Sequence, residues 1–219
     1  MNKSQEVVEL CLEIANSIKH RGLMLNERYL HHYFSHSLQE KWNLMNLTDT
    51  KEEVELHPEW PTYKKQTNLC YGQYVKEGGK YLPSKNGTAG FIDFAVSNYK
   101  KPYIGIEFSL KYGWSNEEIV YDFLKLLDNK NPFDTSISLN LIFRPAQLVR
   151  GENLADLERH MNNAIDDAVK RLGNGVCNES RELFFIISEI DADNNRRHWY
   201  YSKTTHKFEN GLQKTIGTI

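Results

Sequence analysis

Residues 87–111 read GTAGFIDFAVSNYKKPYIGIEFSLK, and the two strand-like runs inside this stretch decide how the rest of the chain is read. In the second run, Tyr103 to Lys111, a period of two sends Ile104, Ile106, Phe108 and Leu110 to one face and Glu107, Ser109 and Lys111 to the other. In the first, Phe91 to Val96, a single Asp93 stands among residues of high strand propensity, where aspartate is depleted because it competes with the backbone for hydrogen bonds. Ser97-Asn98-Tyr99-Lys100-Lys101-Pro102 has turn composition, so the runs are expected to pair as a hairpin that brings Asp93 near Glu107. Two converging carboxylates repel, and each raises the other's pKa unless a cation lies between them, which suits a hard divalent metal bound through oxygen. The plain alternative is a half-exposed hairpin whose charges face water. It accounts for Glu107 and Lys111 better than for Asp93.

Composition narrows the class. At 219 residues, 40% hydrophobic and 26% charged, residues 1–219 are expected to form one well-buried domain. The net charge of -2 does not mark a nucleic-acid binder, so any such contact must come from local patches. Cys11, Cys70 and Cys177 are odd in number, far apart and without a CxxC pair, which argues against a zinc ribbon or a disulfide framework and for a reducing compartment. Met1 leads into polar, helix-compatible sequence and no apolar run approaches membrane-spanning length; a cytoplasmic protein with no membrane partner is the expectation.

Upstream, helical periodicity over Ser4 to Lys19, with Ser4 as N-cap, predicts an N-terminal helix within residues 1–25. A second helix is predicted from Asn26 to about Leu44, with Tyr29, Leu30, Tyr33, Phe34, Leu38 and Trp42 as its apolar stripe and Glu27 in its first turn, where an acid complements the helix dipole. His32 and His36 are spaced to grip zinc, but no glutamate of an HExxH motif lies between them, so His31, His32 and His36 read as ordinary histidines. The acidic, proline-bearing stretch from Thr48 to Tyr63 reads as a connection, with His57 to Pro61 an ordered loop whose Trp60 packs over a sheet. Leu69 to Val75 reads as the first strand, and the lysine- and glycine-bearing segment to Gly87 as a loop able to touch phosphates.

Downstream, Ser115 is expected to cap a helix buried through Ile119, Val120, Phe123, Leu124 and Leu127, on which Asp122 and Lys125 read as an exposed i, i+3 pair. Ser136 to Phe143 alternates as a strand. A helix from about Glu152 to Leu172, with Leu154, Leu157, Met161, Ile165 and Val169 inward, and strands at Leu183 to Ile190 and His198 to Tyr201 complete the chain. Arg196 to Lys203 interleaves bases with aromatics, as either a nucleic-acid contact or a charged edge strand does.

Gly-Phe-Ile-Asp93, followed by Ile-Gly-Ile-Glu107 and a nearby lysine, resembles the PD-(D/E)XK nuclease superfamily, and Asp122 to Leu126 resembles its Asp-x-x-Lys-Leu helix run. The resemblance implies an α/β fold: a restriction-endonuclease-like αβββαβ core with a mixed central sheet flanked by helices over residues 26–145. The N-terminal helix and a C-terminal elaboration of helix and strands over 146–219 would then be additions. It implies magnesium or manganese held by Asp93, Glu107 and the Phe108 carbonyl, with Glu27 as a further acid near the metal. The family places its lysine two residues after the acid, where this chain has Ser109. The cation must come from Lys111, roughly 7 Å further along the same face, or from Lys125 on the next helix; Lys111 needs the smaller displacement. The implied activity is that of a metal-dependent endonuclease acting on DNA in defence, restriction or repair, as a homodimer by analogy and with protein partners of a defence system. The rival is an inactive nuclease-fold module that binds nucleic acid or protein.

Overall fold

Alternation at a period of two carries directly into the centre of the molecule. A computed structural model describes residues 2–18, 26–42, 54–62, 72–98, 101–111, 116–143, 154–190 and 196–210. Strands β1 (Val54–Pro61), β5 (Phe91–Asn98), β6 (Lys101–Lys111), β7 (Thr135–Phe143), β8 (Glu182–Ile190), β9 (Arg196–Ser202) and β10 (Lys207–Asn210) form one sheet in the order β1-β5-β6-β7-β8-β9-β10. β1, β5 and β6 are mutually antiparallel, β6, β7 and β8 are parallel, and β9 and β10 return antiparallel. The sheet is therefore mixed.

The two parallel pairings need crossovers, and helices supply them. α3 (Asn116–Leu127) joins β6 to β7 and α4 (Leu154–Leu172) joins β7 to β8, both burying their apolar stripes in one cluster with Ile92, Ala95, Phe185, Ile187, Trp199 and Phe208. The opposite face is covered by α1 (Lys3–Ser17) and α2 (Glu27–Lys41), which bury Val7, Cys11, Ile14, Leu30, Phe34 and Leu38 against the even-numbered residues Ile104 to Leu110 of β6. The result is an α/β molecule with four helices among the described residues, two on each face of the sheet. None of these helices is long and apolar enough to cross a membrane.

Several boundaries differ from the sequence expectation for local reasons. Asn2, not Ser4, caps α1: its side chain accepts the Ser4 amide while Gln5 reaches back to the cap backbone, a reciprocal box that frees Ser4 to bond Thr135 Oγ1 at 2.9 Å. Asn26 caps α2 as expected, but Tyr29 and Tyr33 are exposed, because the stripe that meets the sheet is Leu30, Phe34 and Leu38. Likewise Val169 is exposed, whereas Leu157, Met161 and Ile165 are buried as expected, joined by Ala164 and Ala168. Ser115 and the turn at 191–195 lie outside the described residues.

The largest correction concerns the first strand. His57-Pro58-Glu59-Trp60-Pro61 is no loop: it belongs to β1, paired antiparallel with β5 from Val54↔Asn98 to Pro61↔Phe91. Two prolines are tolerated because β1 is the edge of the sheet, where a missing N–H costs no ladder bond. The expected strand at Leu69 to Val75 is instead β2 (Gln73–Glu77), part of a separate three-stranded sheet with β3 (Lys80–Pro83) and β4 (Thr88–Ala89). Gly78 and Gly79 both have positive φ, 55° and 80°, the two-residue turn a tight hairpin requires. This small sheet is inserted between β1 and β5 and docks on α3 and α4. Glu117 accepts the Tyr81 amide at 2.6 Å, and Arg171 donates to the Tyr81 carbonyl at 3.0 Å and to both Glu117 oxygens at 2.6 and 2.9 Å.

The basic-aromatic stretch from Arg196 is not the edge strand of the sheet, since β10 pairs with it over Trp199 to Ser202. β9 lies between β8 and β10, Trp199 is buried, and Arg196 donates to Ser188 Oγ and the Ile18 carbonyl, with burial pulling its pKa down to about 10. Lys203 donates to the Glu179 and Arg181 carbonyls.

Candidate active site at the β5–β6 split

β5 and β6 pair from Asn98↔Lys101 to Phe94↔Ile106, and there the ladder ends. One residue further on stand Asp93 and Glu107, which are not paired. The alternation of β5 also breaks at this point. Phe94 is buried among α1 and α2, whereas Ile92, two residues away, is buried among α3 and α4. On the other flank Glu59, opposite Asp93 in the β1 register, has φ of 50°, a left-handed conformation that non-glycine residues adopt at an energetic cost and that gathers at functional sites.

The split leaves the Phe108 amide without a strand partner, and Asp93 Oδ2 accepts it at 2.7 Å. From α2, His31 brings Nε2 to 3.4 Å from the same oxygen while its ring packs against Phe94 and Phe108. Burial would raise the Asp93 pKa, but His31, the Phe108 amide and the charge of Lys125 hold it below the usual aspartate value. Burial lowers His31, yet Asp93, Glu27 and Glu59 together carry it above its ordinary value of 6.5. A raised histidine stabilises the fold below its unfolded pKa and loses that contribution as pH climbs through the folded one; a depressed aspartate loses its contribution as pH falls through its own. The pair therefore supports the fold most between about pH 4 and 6.5. We expect the melting-temperature gap between the metal-free protein and His31→Gln to be widest near about pH 5.5 and to shrink toward about pH 8.5; thermal melts across that range that keep a constant gap would show that no such ion pair exists.

Glu107 points to the other side of the sheet, beneath α3, and is 2% exposed. That removes the half-exposed hairpin reading. The Lys125 ammonium lies 2.5 Å from Glu107 Oε1 and 3.2 Å from Asp122 Oδ1, and it donates to the Phe91 carbonyl at 2.8 Å. Lys125 is itself 4% exposed, so the exposed i, i+3 pair expected on α3 is a buried triad tying the helix to both β5 and β6. Burial pushes the Glu107 carboxyl up and Lys125 pulls it back, with Asp93 and Asp122 adding repulsion. Desolvation works against the lysine charge, but Glu107, Asp122 and Asp93 outweigh it and hold Lys125 protonated, above the ordinary lysine value.

Of the residues picked out in the sequence, Asp93 and Glu107 flank the split within range of each other's charge, but Asp93 is turned to His31 of α2 and Glu107 to Lys125 of α3, so the expected convergence of two carboxylates on one face is not found; Glu27 reaches the α2 side, accepting the Leu110 amide at 3.4 Å. Phe108 presents its amide to Asp93. Lys111 lies on β6 opposite Ile142; its side chain is outside the described residues. His31 and Glu59 were missed, and Lys125 was named only as the second choice for the cation. His31 shares its helix with two unremarkable histidines, and Lys125 has a sufficient partner three residues away; only the sheet contacts reveal either.

Gly90 shows how tightly Lys125 is enclosed. A Cβ there would lie 2.6 Å from Tyr121 Oη and 3.1 Å from Lys125 Cδ. Gly90→Ala should cost about 1–3 kcal/mol by overpacking and displace one of the two side chains. Urea denaturation would read the first effect, and a crystal structure in which both stay in place would refute the second.

Charge is unbalanced here. Glu27, Glu59, Asp93, Glu107 and Asp122 act on one neighbourhood against Lys125 and His31. Three buried polar atoms around the split, Glu107 Oε1, His31 Nε2 and Ser109 Oγ, make no hydrogen bond among the described residues; Lys125 and His31 form ion pairs off the hydrogen-bonding direction. No group of three or more His, Cys, Asp or Glu side chains among the described residues is gathered to hold a metal ion. The local charge is negative and the donors are oxygen, the kind a hard divalent cation takes, but each carboxylate is already engaged, Glu107 by Lys125 on the α3 side and Asp93 by His31 on the α2 side. No family model, curated protein or solved structure matches the chain.

Proposed function

We propose that this chain is a metal-dependent nuclease of the PD-(D/E)XK type, with DNA as substrate. The observation that carries the reading is the buried Lys125 ammonium 2.5 Å from Glu107, beside a partly buried Asp93 where the ladder between two strands ends. A buried acid, a buried cation and a second acid at a strand split supply what phosphodiester hydrolysis requires, and an ordinary structural ion pair needs no split. The order α2, β1, β5, β6, α3, β7, with three antiparallel strands followed by a parallel one, supports the restriction-endonuclease-like αβββαβ core. The inserted β2–β4 sheet would then be an addition between core strands.

Asp93 from the α2 side of the split and Glu107 from the α3 side would hold magnesium or manganese, with the Phe108 carbonyl, by turning their carboxylates into the split; the metal's chemistry is to lower the pKa of a bound water and to neutralise phosphate charge. Lys125 keeps a fixed positive charge at Glu107, where it can stabilise the charge that develops on the phosphate or orient the attacking water. It thereby occupies in space the role that Ser109 cannot fill in sequence. Glu27, one turn from His31 on α2, adds negative charge at the same place. His31 shields Asp93 in the metal-free state and must yield some of that contact when a cation arrives.

The decisive assay is cleavage of supercoiled plasmid with magnesium or manganese, suppressed by EDTA and lost in Asp93→Ala. No cleavage of DNA or RNA with either metal, together with no metal binding by calorimetry, would favour the inactive nuclease-fold module. The net charge of -2 is the observation on that side, since it offers nucleic acid no long-range attraction. A role in defence, restriction or repair, and a homodimer, belong to the same proposal; sedimentation with and without duplex DNA tests the dimer.

A further inference from the structure

The inserted sheet reaches the candidate site through a stack of rings. Tyr121 of α3 lies one turn before Lys125 and presents its ring to that ammonium, 4.9 Å from the centroid. Tyr81 of β3 stacks on Tyr121 with centroids 3.9 Å apart and planes 13° from parallel, and Tyr74 of β2 meets Tyr121 edge-on at 5.4 Å. Lys76, an exposed residue of β2, places its ammonium 4.9 Å from the Tyr81 centroid. Since Tyr121 covers one face of Tyr81, this cation takes the other. The order is Lys76, Tyr81, Tyr121, Lys125: two rings between an ammonium on the surface and one in the candidate site.

The stack is fixed from outside. Both backbone polar groups of Tyr81 are held, the amide by Glu117 and the carbonyl by Arg171, and Gly90, just before β5, closes on the Tyr121 hydroxyl. Lysine is a long stem with large rotamer freedom, and the three oxygens it meets come from three elements, Glu107 of β6, Asp122 of α3 and Phe91 of β5. Something must hold the stem where these converge. A desolvated ammonium over an aromatic face is favoured by roughly 10- to 30-fold in an equilibrium, and that attraction comes from the ring face rather than from the hydroxyl.

We propose that Tyr121 is a positioning residue, its ring clamped by Tyr81 so as to hold the Lys125 ammonium against Glu107, and that the inserted β2–β4 sheet is thereby a working part of the site. The proposal rests on the role assigned to Lys125 above. Simple docking of the small sheet predicts something different: any apolar side chain of similar volume at 121 would serve.

Tyr121→Phe and Tyr121→Leu in the full chain separate the two. With supercoiled plasmid and magnesium, Tyr121→Leu is expected to lose about tenfold or more in kcat with KM little changed, and Tyr121→Phe to recover most of that loss. Crystal structures of the two variants read the same point without activity: Lys125 Nζ should remain at ion-pair distance from Glu107 in the phenylalanine variant and leave it in the leucine variant. Should the wild type cleave nothing, the nuclease reading fails while the structural comparison still decides on Tyr121. Should Tyr121→Leu fail to fold, Tyr81→Leu loosens the clamp from outside and is expected to lower kcat less, in the same direction. Full kcat in a folded Tyr121→Leu, or an undisplaced Lys125 in its crystal structure, would overturn the proposal.

Discussion

Lys125→Met is expected to abolish metal-dependent cleavage and to destabilise the fold by about 3–5 kcal/mol, the cost of leaving a buried charge without its partner. Methionine keeps most of the stem volume, so little of the loss would come from a cavity. The uncompensated group is Glu107, 2% exposed and paired with Lys125 at 2.5 Å; Asp122 and the Phe91 carbonyl lose their donor as well. The double variant Lys125→Met/Glu107→Gln removes the stranded charge and should recover much of the stability, because a buried ion pair often contributes little beyond its apolar replacement. Cleavage should not return. Urea denaturation of the three proteins with plasmid assays on each separates a lysine that only closes a buried pair from one that also acts on substrate. Recovery of cleavage in the double variant would place the catalytic cation elsewhere, with Lys111, which needs the smaller displacement along β6, the next to examine.

How much of this was legible in the sequence depended on whether one element alone determined a residue's surroundings. In β6, alternation of Ile104, Ile106, Phe108 and Leu110 with Glu107 and Ser109 settled which face each took, and the buried even-numbered face agrees. Asp93 was anomalous within its own strand and proved to mark the split. Lys125 was ambiguous by nature, since an Asp122 partner at i, i+3 is the same pattern whether the helix face meets water or a sheet. What buries it is the Phe91 carbonyl from β5 and Glu107 from β6, contacts with no signature in α3. β1 was hidden for a different reason. Two prolines and the acid between them suppress the strand signal in His57 to Pro61, and an edge position, which a sequence does not declare, makes them acceptable. The inserted sheet announced only its turn, Gly78-Gly79, because β3 and β4 span four and two residues, too short for a period to register.

Asp93→Asn should lower cleavage by at least about 100-fold while leaving the fold nearly intact, and this contrast makes it the sharper companion to the alanine variant. The Phe108 amide needs an acceptor because the β5–β6 ladder has already ended. Asparagine Oδ1 can still take that hydrogen bond, so the strand split keeps its geometry. What disappears is the negative charge, which matters in two places. A hard divalent cation loses one of its two carboxylates, and an amide oxygen is a poor replacement for it. His31 loses the partner, 3.4 Å away, that most raises its pKa, leaving burial free to lower it. The histidine should then titrate below its wild-type position in a proton NMR series, and calorimetry should show magnesium or manganese affinity reduced at every pH. Loss of cleavage with unchanged metal affinity would mean that the Asp93 charge acts on something other than the cation, and the acid facing the metal would have to be sought among Glu27 and Glu59.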